Sequence, residues 1–150
     1  MAEEQKQLFP VIDVPDFAAY EERYDRKYHP SVRWDLAKGD FVRDGANRMV
    51  SADGLEAYRI WCVKTVQTER YACLAYNSDI GSEMEKAMKE PDEKAVESAV
   101  ERTITEALMA NPRTAAVEGF SFTWLSGDSL LVEFTVRSAE DDKFRISVTI

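Results

Sequence analysis

The sequence predicts an α+β protein in which helices pack on one face of a C-terminal three-stranded antiparallel meander. Two patterns lead to this prediction. Apolar residues recur every three or four positions between Pro91 and Leu108, and at every second position in most of the stretch from Phe120 to Ile150. The first spacing is typical of an amphipathic helix, and the second is typical of strands with one buried face. An extended arm and a small hairpin are predicted on the N-terminal side.

Composition limits the class of protein. The 150 residues are 45% hydrophobic and 31% charged, which is ordinary for one globular domain. Because 28 acidic residues outnumber 19 basic ones, for a net charge of −9, we expect no nucleic-acid partner. No signal peptide or membrane span of about 18 apolar residues is apparent, so we expect a protein made in the cytoplasm. Cys62 and Cys73 are predicted to be reduced, partly buried thiols.

Residues 1–30 are predicted to form an arm, and residues 31–150 a single domain. The apolar segment 8–15 contains two prolines and is therefore expected to be extended. Aromatic residues follow at helical spacing, and they either pack on the domain or face a partner: Phe17, Tyr20, Tyr24 and Tyr28. His29 is expected to have a surface or turn role.

From Ser31 the period changes to two, which predicts a strand through Leu36 that forms a small hairpin or meander with residues 41–50. Ser51 or Asp53 is then positioned to cap a helix that ends near Gln67. The residues predicted on the apolar side of this helix are Leu55, Tyr58, Trp61, Cys62 and Thr65.

Residues 68–82 are expected to form a buried connection that ends in a turn near Gly81. Glu69 and Arg70 are unusual in this apolar context. Either Arg70 lays its stem along apolar surface while Glu69 is solvated, or the two residues form a structural ion pair. A short helix carrying Met84 and Met88 follows, and then the long helix, which Asn111 and Pro112 end.

Three strands are predicted after the long helix, around residues 120–124, 130–136 and 144–150. If the last strand lies at the sheet edge, its unpaired N–H and C=O groups can accept a strand from another chain. Lys143 and Arg145 are expected to discourage nonspecific pairing there. The alternative is a protected edge that never pairs.

No motif for catalysis or metal binding is present: the sequence has no glycine-rich phosphate loop, no HExxH and no Cys/His cluster. We therefore expect no cofactor, no metal and no catalytic residue. A glycosidase-type carboxylate pair is defined by spacing in three dimensions, so an enzyme stays open as the alternative.

Residues 65–70, Gly81, the long helix and the corner at residues 111–113 follow one another in this order. Together they resemble baseplate wedge or sheath-initiator proteins from contractile phage tails, tail-like bacteriocins and type VI secretion machines. This resemblance covers about residues 55–136. A narrower resemblance, to PBSX-type prophage tail proteins, covers residues 31–150 and rests on residues 39–42, 68–71 and 74–76.

In the wedge family one signature is threonine, two residues and glycine-glutamate-arginine, with a proline and a glycine downstream, and the other is glutamate-proline-arginine. The matching residues here are Thr65, Glu69, Arg70, Gly81, Pro112 and Arg113. Thr68 replaces the glycine, Asn111 replaces the glutamate, and the downstream proline is missing.

The resemblance implies a lysozyme-like fold without lysozyme activity. It also implies a structural component that joins the baseplate wedge to the first sheath ring and initiates sheath assembly. The implied partners are the sheath protein, other wedge proteins and the tail hub or tube, with six copies per particle. The protein would reside in the cytoplasm of the producing bacterium and then in the virion or tail-like particle.

The partner-binding residues expected on this basis are Glu69, Arg70, Asn111, Pro112, Arg113, Lys143, Arg145 and Ile150. Arg113 follows a helix C-terminus, where a cation is favourable, so the alternative is that it only caps its own helix. The pair at residues 69–70 is expected to lie close to the corner at residues 111–113. The rival functions are a lysozyme-like hydrolase acting on peptidoglycan and a small-ligand or regulatory binding domain.

Overall fold

The computed structural model describes residues 30–125 and 128–150. The predictions for the arm, its tyrosines and His29 therefore lie outside the described residues, and the division into an arm and one domain stays a prediction. The helices are α1 (Gly54–Gln67), α2 (Met84–Ala87) and α3 (Glu93–Met109). The strands are β1 (Ser31–Val32), β2 (Trp34–Asp35), β3 (Asp40–Phe41), β4 (Ser51–Ala52), β5 (Thr114–Trp124), β6 (Leu130–Ser138) and β7 (Lys143–Thr149).

The C-terminal sheet has the order β5-β6-β7, with both pairings antiparallel. Side chains of β6 alternate between buried and partly buried, as expected for a central strand with one covered face. Phe134, in the middle of β6, is completely buried. The predicted α+β class and the three-stranded meander are confirmed.

Helices cover one face of this sheet. α3 lies over β5, and α1 contacts β7. The apolar stripe of α3 is buried at Val96, Val100, Ile104 and Leu108, while its polar residue Glu97 accepts a 3.1 Å hydrogen bond from the indole N–H of Trp124. Within the described part of the chain, no helix is both long and apolar enough to cross a membrane.

A second, smaller core joins the N-terminal meander to α1. β2 pairs with β3, which forms the predicted small hairpin, and β1 pairs with β4. Trp34 packs on a buried cluster formed by Ala52, Ala57 and Ile60. The Lys64 ammonium lies 4.3 Å from the centre of the Trp34 ring, a cation–π contact between α1 and the meander.

Three details of the sequence prediction are wrong. Leu55, expected on the apolar side of α1, is 38% exposed in the first turn of the helix. Residues 71–79, expected to be buried, are exposed, and Leu74 is fully so. β5 begins at Thr114 rather than near Phe120, because register shifts after residues 114 and 118 interrupt the alternation by which a strand is recognised.

The two cysteines differ in environment. Cys62 is completely buried, and burial raises the pKa of its thiol to about 12, whereas Cys73 is exposed, contrary to the expectation of partial burial. Because a pKa raised this far keeps the Cys62 thiol protonated at pH 8, we expect only Cys73 to react with an alkylating reagent in the native protein. Mass spectrometry after labelling checks this, with urea-unfolded protein as the control in which both thiols react. Equal native labelling rates at the two thiols would contradict the structure.

Candidate functional site

Glu69 and Arg70 lie at the base of a closed surface loop. The Arg70 N–H donates to the Ser82 carbonyl and the Ser82 N–H donates to the Thr68 carbonyl, each at 2.9 Å. The Arg70 side chain reaches the Gly81 carbonyl through Nε at 3.0 Å. The Glu69 carboxylate accepts a 3.2 Å hydrogen bond from the Glu85 N–H, near the start of α2. The two side chains therefore brace the loop through separate contacts.

Gly81 permits this closure. Its φ is +102°, and a Cβ added there would lie 2.8 Å from the Thr68 carbonyl oxygen and 3.0 Å from the Arg70 backbone. A side chain at this position would be strained in conformation and would also collide with backbone. Gly81, which matches the downstream glycine of the first signature, is therefore required for a steric reason.

The corner after α3 is fixed by backbone contacts. The Asn111 side-chain oxygen accepts a 3.0 Å hydrogen bond from the Arg113 N–H, which closes an Asx turn across Pro112. The Arg113 carbonyl accepts a 2.8 Å hydrogen bond from the Ala139 N–H, which joins the corner to the turn after β6. Pro112 is exposed and Arg113 is half-buried. Asn111 therefore has a local structural role at the position of the family's glutamate.

A cavity of about 250 Å³ adjoins this corner. Two aromatic residues of α1, Tyr58 and Trp61, line it together with the cations Lys64 and Arg113. The Tyr58 hydroxyl is buried and lies 2.6 Å from the Thr114 hydroxyl. Sequence reasoning missed Lys64 as part of this surface, because only the fold brings α1 beside the corner.

The two parts of the predicted corner do not lie together. The Arg113 carbonyl is hydrogen-bonded to Ala139, just beyond one end of β6. Glu69 instead borders a depression together with Ile150, and Ile150 pairs with Leu130 at the other end of β6. At about 3.3 Å per residue, the nine residues of β6 separate these ends by roughly 25 Å. The expectation of proximity is wrong, because α1 extends from beside Thr114 toward the opposite end of the sheet.

β7 forms an edge of the sheet, with β6 as its strand neighbour among the described residues. Ile150 and Leu130 exchange both backbone hydrogen bonds, at 2.9 and 3.0 Å. Since such pairs alternate along an antiparallel ladder, every second residue back from Ile150 also faces β6. The residues whose N–H and C=O groups point away from β6 are therefore Lys143, Arg145, Ser147 and Thr149.

The side chains of these four edge residues are all exposed on the face of the sheet that the helices leave open. Arg145 forms a 3.0 Å ion pair with Glu133 of β6. The Arg145 side chain is exposed and that of Glu133 is partly exposed, so the pair contributes little to stability. The edge consequently combines outward-pointing backbone groups with the two cations that the sequence singled out.

Carboxylates near one surface depression are accompanied by cations. Glu83 pairs with Lys86 at 3.6 Å, and Glu106 pairs with Arg102 at 4.0 Å. The depression that they border has a volume of only about 10 Å³, too small for a sugar ring. Among residues 30–125 and 128–150, no group of three His, Cys, Asp or Glu side chains is arranged to hold a metal ion.

Comparison with known proteins identifies the chain's relatives. A family model of contractile injection system sheath initiators matches residues 31–141. The phage-like element PBSX protein XkdS of Bacillus subtilis (strain 168) is 34% identical over 89 residues, which cover 58% of this chain and 62% of that protein. The chain therefore aligns with less than two thirds of this relative's length. The resemblance seen in the sequence is confirmed, and it indicates a structural role in a contractile tail. The chain belongs to the family of contractile injection system sheath initiators.

Proposed function

We propose that this protein joins the baseplate wedge to the first sheath ring and initiates sheath assembly by accepting a strand of the sheath protein at β7. The observation that carries the proposal is that, among the described residues, no strand pairs with the outer side of β7 in this chain of the sheath-initiator family. Assembly takes place in the cytoplasm of the producing bacterium, after which the protein is part of the particle. Six copies surround the tail hub or tube.

Strand addition gives initiation a simple physical basis. The first sheath subunit has no preceding ring on which to assemble, and in this proposal a preformed strand edge supplies its backbone partners. Four residues of β7 present outward N–H and C=O groups, and main-chain hydrogen bonds from such an edge provide affinity that depends little on side chains. The rigid meander holds this edge in the extended geometry that pairing requires.

The corner at residues 111–113 is proposed as the contact with neighbouring wedge proteins. Pro112 is exposed, Arg113 lines a cavity beside Trp61 and Lys64, and the corner lies at the end of the sheet opposite Ile150. A guanidinium in this setting can bind a carboxylate or backbone carbonyls through two hydrogen bonds. Glu69 and Arg70 act less directly in this proposal, because they fix the shape of the loop at residues 71–80.

An assembly assay tests the proposal. Purified sheath protein and baseplates are mixed with and without this chain, and sheath growth is followed by light scattering and electron microscopy. We expect growth from baseplates only when the chain is present. Normal growth on baseplates that lack it would overturn the proposal.

Arg113→Ala is expected to impair assembly at little cost in stability. The substitution keeps the backbone N–H and C=O of residue 113, which bond to Asn111 and Ala139, and it shortens a side chain that is only half-buried. We therefore expect the free energy of unfolding to fall by about 1 kcal/mol. Binding of the chain to wedge proteins should fall about tenfold or more. Urea unfolding and a co-purification assay measure the two effects, with Arg59→Ala, an exposed arginine of α1, as the matched control. A large loss of stability would show that Arg113 mainly caps its own helix.

The proposed role is structural rather than catalytic. The family is a structural one, and two of the carboxylates that border the small depression described above, Glu83 and Glu106, are paired with Lys86 and Arg102. A peptidoglycan clearing assay with the purified chain tests this part of the proposal. Clearing that disappears when a single carboxylate is replaced by its amide would establish a hydrolase instead.

A further inference from the structure

An apolar depression lies at the Ile150 end of β7. Met84 and Met88, from α2 and its C-terminal cap, form it with Ile150, and all three side chains are only partly buried. Its volume is about 400 Å³, and its remaining lining residues are Glu69, Glu85 and Lys89. Ile150 shares the helix-covered face of the sheet with Val148 and Ile146, because side chains two residues apart along a strand point to the same face. The depression therefore lies at the end of the edge strand, on the side that the helices cover.

The other end of β7 has the opposite character. Lys143 and Arg145 are exposed on the open face of the sheet, and Arg137 of β6 pairs with Lys143 in the register. Glu133 neutralises Arg145 in part. The acidic residues 140–142 lie beyond the end of the strand, in the turn. A strand added to β7 would thus find cations beside it on one face at this end, and an apolar surface on the other face at the far end.

We propose that β7 selects its partner by this two-part pattern. The partner is an extended segment of the sheath protein. It carries an acidic residue on the open face beside Lys143 and Arg145, and an apolar residue on the helix-covered face that fills the depression at Met84, Met88 and Ile150. This inference rests on the proposed function and adds the chemistry of the segment that binds.

The geometry fixes the spacing between the two residues of the partner. Positions 145 and 150 are five residues apart, and positions 143 and 150 are seven apart. The acidic and apolar residues of a strand paired in register with β7 are therefore separated by about five or about seven positions. The number must be odd, because the two side chains are on opposite faces of the sheet. A slip of one residue would place the acidic side chain on the apolar side and expose the apolar one, which makes the register specific.

Substitutions at each end test the proposal through the affinity of the full chain for purified sheath protein. Met88→Glu should weaken binding about tenfold or more, because it places a charge in the depression, whereas Met88→Leu should change it less than about threefold. Met49→Glu introduces the same charge at an exposed methionine that is remote from β7 in sequence, and it is the matched control. The double variant Lys143→Glu, Arg145→Glu should also weaken binding. Unchanged affinity of a folded Met88→Glu variant would overturn the apolar half of the pattern, and unchanged affinity of the double variant would overturn the acidic half.

Crosslinking separates failure of this inference from failure of the proposed function. A photo-crosslinking residue is placed at position 149, and the sheath segment that it captures is sequenced. We expect a segment with an acidic and an apolar residue five or seven positions apart. A captured sheath segment without that pattern would overturn the inference and leave strand addition intact. Failure to capture any sheath segment would overturn both.

Discussion

Gly81→Ala is expected to lower the free energy of unfolding by about 2–4 kcal/mol, because the new Cβ meets the Thr68 carbonyl oxygen and the residue must also hold a positive φ. Backbone atoms of residues 68 and 70 form the contact, so a side-chain rotation cannot relieve it. Either the loop base separates, breaking the hydrogen bonds that Ser82 forms with Arg70 and Thr68, or the strain is retained. Both outcomes destabilise the folded state.

Urea unfolding measures this effect, and Gly45→Ala supplies the matched control. Gly45 has no neighbouring atom within 4 Å of an added Cβ and does not have the positive φ found at Gly81, so its substitution should change stability by less than about 0.5 kcal/mol. Equal stabilities of the two variants would contradict the closed loop base. The contrast isolates the steric role of the signature glycine from the general effect of adding a methyl group.

Ser147→Pro is expected to abolish sheath initiation while the chain remains folded. The Ser147 N–H points away from β6, so proline at this position removes no hydrogen bond from the β6–β7 ladder. Proline is tolerated at such positions of edge strands for this reason. On the open side, however, its ring removes the donor that an added strand needs and obstructs the close approach of that strand.

The local parts of the fold were predictable from the sequence. The amphipathic period of α3 and the alternation in β6 and β7 correspond directly to their buried faces. The start of β5 was not predictable, because its register shifts break the alternation. The exposure of Leu74 was missed because apolar residues usually indicate burial, whereas here a short closed base holds them in solvent.

The candidate site was only partly predictable. The strand period, a local property, placed Lys143 and Arg145 together on one face of β7. Arg113 was singled out mainly by the family resemblance, together with the end of the helix before it. The distance between Glu69 and Arg113 depends on the packing of the whole sheet. The expectation that they lie close together failed because membership of family motifs does not determine how far apart two residues lie. The depression formed by Met84, Met88 and Ile150 depends on the packing of α2 beside the end of β7, which no spacing in the sequence indicates.

The central claim is that sheath growth begins by strand addition at β7, and the Ser147→Pro variant tests it most directly. Baseplates carrying the wild-type chain, Ser147→Pro or the control Ser147→Thr, which keeps the backbone N–H, are mixed with sheath protein, and the initial rate of sheath growth is measured. Circular dichroism and urea unfolding verify that each variant is folded. We expect normal growth with wild type and Ser147→Thr, and loss of growth with Ser147→Pro. Wild-type growth from baseplates carrying a folded Ser147→Pro variant would contradict strand addition at this edge.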